Sequence, residues 1–233
     1  MAGSQPAETA QLNNQPPPLS AGLGDMVQVS ARTAFRSAFL IDRTEVTTAA
    51  YTACVRTGRC SEPVVSDLEY CNWGKESKAK HPINCVDWKQ ANAYCSAQGK
   101  RLPTEQEWEF AARGPDKRMY PWGEELPNVE ELCAYRACCR WEEKPGTCPV
   151  GSFPAGVSPF GALDMTGNVF EWTSSNFDDT AAARVARGFG WTVAPLRDSP
   201  GLPFPTSPIF RAAYRFRYEP SARRNNLGFR CAR

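Results

Sequence analysis

The sequence predicts an α+β fold, built as a single loop-rich, disulfide-stapled domain, and three observations predict it. The first half carries short segments with helical caps and glycine stops. The second half carries short strand-like runs divided by turn residues. Ten Cys, 17 Gly and 20 Pro accompany 7 Trp, 12 Phe and 7 Tyr, a mix that suits a compact fold with large aromatic anchors rather than a helical bundle.

Residues 1–24 are polar and proline-rich (Pro6, Pro16, Pro17, Pro18), with neither a basic start nor an apolar core, and read as a flexible linker rather than a signal peptide. Residues 25–233 form the expected domain. Strands are predicted at residues 27–30 and 38–42. Thr47 then precedes a helix over residues 48–56, with Gly58 as its stop, because a hydroxyl accepts an orphan N–H and glycine takes the left-handed exit. Residues 60–84 read as irregular loop.

Asp87, with Gln90 three positions on, caps a helix over 88–98 that Gly99 ends. Thr104 and Glu107 form a second capping box before a helix over 105–113, and Gly114-Pro115 stops it. A turn at 121–123 and a long loop over 124–160 follow. Strands are expected at 161–164, 169–172, 184–189 and 227–231, with a further one at 210–216, and the late strands are expected to pair antiparallel. Five prolines in 195–208 exclude a central strand there.

Lys plus Arg is 27 and Asp plus Glu is 25, a balance that argues against a general nucleic-acid or membrane-surface binder. No run approaches the roughly 18 apolar residues that cross a bilayer. The cysteines lack any C-x-x-C pair and His81 is the only histidine, so disulfides fit better than zinc. Disulfides suit an oxidising compartment. The expectation is an extracytoplasmic protein (periplasmic, secreted or surface-anchored) whose leader lies outside this chain, with a cytoplasmic setting as the alternative. His81 has no evident Ser or Cys partner for a triad.

A set of motifs runs through the domain. It comprises His81-Pro82-Ile83-Asn84-Cys85-Val86-Asp87-Trp88, then Gly99-Lys100-Arg101-Leu102-Pro103-Thr104-Glu105 with Glu107-Trp108-Glu109, and Tyr120-Pro121-Trp122-Gly123. Pro149-Val150-Gly151-Ser152, Asp164-Met165 with Gly167-Asn168-Val169 and Glu171-Trp172, Arg187-Gly188 with Gly190-Trp191, and Gly228-Phe229-Arg230-Cys231 complete it. In this order they resemble the sulfatase-modifying-factor, or formylglycine-generating enzyme, family. The resemblance implies a C-type-lectin-like variant with little regular secondary structure.

The family's enzymes, as the resemblance implies, oxidise a protein cysteine to formylglycine with oxygen and a copper ion held by two cysteines, soft ligands suited to Cu(I). The interval that should hold them, residues 192–214, contains no cysteine, and neither does any position between Cys148 and Cys231. Leu202 and Ser207 fall near the expected places and supply no thiolate, so copper is not expected. A family disulfide is also missing, since Ala112 and Ala212 stand at both of its ends.

The resemblance implies a retained bridge from Cys95 to Cys231. Chain proximity suggests Cys54 with Cys60, around a tight glycine-containing loop, and Cys71 with Cys85. Cys133, Cys138, Cys139 and Cys148 are left unassigned. The resemblance also implies a calcium site at Asp164, Gly167, Val169 and Glu171, whose carboxylates and turn carbonyls are hard oxygen ligands. The bland alternative is that Asp164 caps a turn and Glu171 pairs with an arginine. Trp88, Trp108, Trp122 and Trp172 read as core.

The expected function is a non-catalytic module that binds a peptide, a protein or a small anionic ligand. Trp191, Phe204, Tyr214, Arg223 and Arg224 are its candidate contacts, set against burial of the aromatics and pairing of arginines with core carboxylates. The rivals are a copper-dependent oxidase that recruits thiolates from residues 133–148, and a sensor domain joined to a membrane protein or kinase.

Overall fold

The computed structural model describes residues 25–30, 37–65, 69–127, 146–192 and 208–233. The expected linker, 1–24, lies outside the described residues. Strands β1 (Met26–Val29) and β2 (Phe39–Asp42) pair antiparallel, with Val27 opposite Ile41. Helices α1 (Thr48–Arg56), α2 (Trp88–Ala97) and α3 (Glu105–Arg113) follow.

Each helix starts where local chemistry directs. The Thr47 hydroxyl accepts the Ala50 N–H at 3.1 Å. Asp87 and Gln90 cap α2 reciprocally, at 2.9 and 3.2 Å. Thr104 and Glu107 do the same for α3, at 3.2 and 2.8 Å. Gln98, expected inside α2, is instead its C-cap.

A second sheet has the order β5-β4-β3-β6, from β3 (Phe170–Asn176), β4 (Arg184–Arg187), β5 (Phe216–Tyr218) and β6 (Leu227–Gly228). Two expectations are corrected here. Late strands do not all pair antiparallel, because β6 runs parallel to β3, with Phe170 opposite Leu227. Residues 161–164 form no strand, since Asp164 takes a left-handed φ of 57° that a β-strand does not admit. Residues 210–216 contribute only the first residue of β5, and Pro208–Phe210 is a 3-10 turn.

Two larger cores and a smaller cluster of Cys148, Phe153, Val169 and Trp191 are formed by the described residues. One gathers α1, α2 and the larger sheet around Tyr51, Tyr94 and Phe229, with the two tyrosine rings stacked at 5.5 Å. The other gathers β1, β2 and α3 around Ile41, Trp108 and Met165. The last segment joins them: Phe229 belongs to the first core and Ala232 to the second, and Ala232 bridges to both Ile41 and Arg101. Disulfide Cys95–Cys231 staples α2 to this segment, and Cys54–Cys60 and Cys71–Cys85 close local loops. Gly228 is fixed by space, because a Cβ there would stand 2.5 Å from the Ile83 carbonyl oxygen.

Candidate functional site

Trp191 follows β4 and turns inward. It is buried, its indole N–H donates to the Asn225 carbonyl at 3.0 Å, and Tyr70 lies 5.3 Å away. Tyr214 is half-buried and leans on Phe216 at 5.8 Å. Phe216 in turn meets Phe170 at 4.7 Å and Tyr218 at 5.6 Å. The expected aromatic contacts therefore divide: Trp191 is core, while Tyr214 is partly accessible. Phe204, Leu202 and Ser207 lie outside the described residues, as do Cys133, Cys138 and Cys139.

The arginines divide in the same way. Arg223 is paired with the Asp87 carboxylate at the start of α2, Arg215 with Glu105 at 2.7 Å, and Arg187 with Glu109. Arg224 is exposed, and its carbonyl accepts the Cys85 N–H at 3.0 Å. Exposed Arg217 lies over the Phe177 ring at 6.0 Å. A separate cavity of about 490 Å³ opens between α1 and the 74–79 turn, lined by Thr48, Thr52, Arg56, Lys75 and Glu76, and shares no residue with this set.

A buried charge cluster sits between the two cores. Arg230 places Nε and Nη2 on the two Glu171 oxygens, at 2.6 and 2.7 Å. Its remaining N–H groups reach the carbonyls of Asp42, Arg43 and Leu163. Trp108 Nε1 also donates to Glu171, at 2.8 Å. Asp164 accepts the Gly151 N–H. Glu45, between β2 and α1, completes the cluster and is 2 % exposed. Burial, then the charges of Asp164 and Glu171, push its carboxyl well above the usual range, and burial raises Asp164 as well.

Glu45 is the residue that sequence reasoning missed. Among the described residues, neither of its oxygens has a hydrogen-bond partner. The only local signal is a carboxylate between two buried apolar residues, Ile41 and Val46.

The calcium ligands implied by the motif come together only in part. Glu171 already accepts from Arg230 and Trp108, as the bland alternative expects. Asp164 stays beside the uncommitted Glu45, on the turn that carries Gly167 and Val169. Among the described residues no three His, Cys, Asp or Glu side chains converge as a metal cluster.

Redox chemistry has few groups to work with in the described residues. Cys54, Cys60, Cys71, Cys85, Cys95 and Cys231 are held in disulfides. Cys148 is buried beside Phe153, Val169 and Trp191, and its N–H donates to Asn168 at 3.0 Å. These bridges fit an oxidising compartment. No described helix is long and apolar enough to cross a membrane.

Comparison with known proteins agrees with this frame. The model of the sulfatase-modifying factor enzyme 1-like domain matches residues 11–233. The inactive C-alpha-formylglycine-generating enzyme 2 of Bos taurus is 37% identical over 173 residues, 68% of this chain and 52% of that protein. The formylglycine-generating enzyme of Mus musculus is 34% identical over 174 residues, 66% of this chain and 45% of that protein. The structure of PvdO from Pseudomonas aeruginosa matches with a TM-score of 0.61 and 26% identity, over 85% of this chain and 81% of that one. The chain spans about half the length of these curated relatives. With capped helices, mixed sheet and motif order in agreement, the chain belongs to the sulfatase-modifying factor enzyme 1-like domain family.

Proposed function

We propose that this domain is a non-catalytic recognition module that keeps the family scaffold and binds a peptide, a protein or a small anionic ligand. One observation carries the reading: no cysteine occurs between Cys148 and Cys231, so the segment that should grip copper has no thiolate. A relative that carries the word inactive in its name supports it.

The accessible cationic and aromatic side chains, Arg224, Arg217 and Tyr214, suit an acidic or aromatic partner, with the chain between Trp191 and Tyr214 as the binding segment. The disulfides support an extracytoplasmic setting.

The test is oxygen consumption by the purified protein with Cu(I) and a cysteine-containing sulfatase-type peptide, read together with mass spectrometry of the peptide. The expected result is unchanged peptide and no oxygen uptake above the copper blank. Formylglycine formed with repeated turnover would overturn the proposal in favour of an oxidase that recruits thiolates from residues 133–148. Binding is tested on an acidic peptide array, where Arg224→Ala with Arg217→Ala should lower retention about tenfold or more, the loss of charge-assisted contacts.

A further inference from the structure

We infer that the cavity between α1 and the 74–79 turn is a binding site for a free α-amino acid, held by both its ammonium and its carboxylate. The site shares no residue with the proposed recognition segment, and oxidation of a peptide by the chain would leave it untouched.

The cavity measures about 490 Å³, within the range of about 300–1,000 Å³ that small-molecule sites occupy. Its walls are tied together by backbone and by sulfur. The Thr48 N–H donates to the His81 carbonyl at 2.8 Å and the Ala49 N–H to the Ala79 carbonyl at 3.0 Å, which joins the turn to the start of α1. Disulfide Cys54–Cys60 fixes the far end of α1, and Cys71–Cys85 closes the loop that carries the turn. A site built before its ligand arrives loses little affinity to ordering.

One face of α1 supplies Thr48, Thr52 and Arg56, each four residues on from the last. Each threonine hydroxyl uses its single proton on a backbone carbonyl: Thr48 on that of His81 at 3.2 Å, Thr52 on that of Thr48 at 2.8 Å. A hydroxyl has one donor and two lone pairs, so both now offer the cavity acceptors only. They suit N–H donors and give a bare anion nothing to bond. Glu76 adds a carboxylate from the turn.

Positive charge lies further along the same helix. Arg56 stands one turn, about 6 Å, beyond Thr52. Arg56 and Glu76 are exposed and line one cavity, yet they pair neither with each other nor with another charged side chain among the described residues. Lys75, by contrast, has its ammonium on the Glu69 carbonyl at 2.6 Å.

Unpaired charges of opposite sign, with acceptors beside them, match a molecule that carries ammonium and carboxylate on one carbon. Its ammonium meets Glu76 and the Thr52 oxygen, and its carboxylate meets the Arg56 guanidinium, in charge-assisted hydrogen bonds. The small side chains of Ala49 and Ala79 leave room for the ligand's own.

The experiment titrates the intact ¹⁵N-labelled chain with three probes to 10 mM: L-leucine, N-acetyl-L-leucine and L-leucine methyl ester. The first carries both charges, the second lacks the ammonium and the third lacks the carboxylate. L-leucine should shift the amides of residues 48–56 and 74–79 saturably, and each blocked form should bind at least tenfold more weakly, the loss of one charge-assisted contact.

Arg56→Ala and Glu76→Gln should each weaken L-leucine at least tenfold. Arg56→Ala should also abolish the preference for L-leucine over its methyl ester, and Glu76→Gln the preference over N-acetyl-L-leucine. Those preferences are ratios within one protein, so they remain readable if a variant is less stable. Absence of saturable shifts in wild type, or N-acetyl-L-leucine binding as tightly as L-leucine, would overturn the assignment. So would variants that keep both preferences.

Discussion

Arg230 and Glu171 form an ion pair from which water is excluded on both sides: each side chain is 0% exposed and they meet at 2.6 Å. The pair stands where the segment passes from the Phe229 core to the Ala232 core, so one bidentate contact fixes the two cores relative to each other. Removing one member of such a pair leaves the other charged and buried. Arg230→Met should therefore cost about 3–5 kcal/mol, read as a fall in the urea midpoint. A loss below about 1 kcal/mol, the size of an exposed pair, would show that the contact does not hold the cores together.

Cys95 and Cys231 are 136 residues apart in sequence, with Cα atoms 5.6 Å apart. A bridge that closes so long a loop restricts the unfolded chain far more than the local bridge Cys54–Cys60, which spans 6 residues. In the chain-entropy account the long bridge contributes about 4–5 kcal/mol. The double change Cys95→Ala with Cys231→Ala should show a loss of that order in equilibrium unfolding. Cys54→Ala with Cys60→Ala should lose less than half as much. Equal losses would mean that native packing, not the unfolded chain, decides the effect.

The helices were legible because their signals are local. Thr47, Asp87 and Thr104 act on N–H groups three residues away, so α1 and α3 fall on residues 48–56 and 105–113 as the caps and glycines predict. The sheet was less legible. The direction of β6 depends on a pairing between Phe170 and Leu227 that no short-range pattern encodes. Residues 161–164 read as a strand by hydrophobicity alone, but Asp164 turns left-handed and Leu163 gives its carbonyl to Arg230.

The charge pairings were legible only as a class. Arginines in the last third of the chain should meet carboxylates of α3 and β3. That Arg215 takes Glu105, Arg187 takes Glu109 and Arg230 takes Glu171 follows from how the sheet lies on the helix. Glu45 escaped notice for the same reason. Its isolation exists only once three distant segments have come together.

Gly228 separates size from backbone conformation as the cause of a glycine requirement. A Cβ at this position would lie 2.5 Å from the Ile83 carbonyl oxygen and 3.0 Å from a Val169 methyl. Gly228→Ala should cost about 1–3 kcal/mol, the range for overpacking a core, seen in thermal unfolding. An unchanged Tm would show that the segment yields more easily than its contacts suggest.

Glu107 gives the domain a pH dependence with a defined sign. Burial alone would raise its carboxyl. Against that, Arg101 grips both oxygens at 2.7 and 2.6 Å, and Thr104 donates its N–H at 2.8 Å and its hydroxyl at 3.0 Å, so the net shift is downward. A carboxyl lowered on folding stabilises the fold above its unfolded value of about 4.3 and loses that contribution as pH falls through the lower folded value.

Half of the Arg101 side chain is exposed, so part of the pairing is screened by salt. Glu107→Gln keeps an acceptor for the Thr104 N–H but removes the charge. Wild type should thus be the more stable of the two at pH 7. The gap should narrow as pH drops below about 4.3 and nearly close by about pH 2, where both side chains are neutral. Added salt at neutral pH should shrink the gap without closing it. The measurement is a pair of urea titrations across that range. A gap that widens toward low pH would assign the capping box a role other than holding a charge.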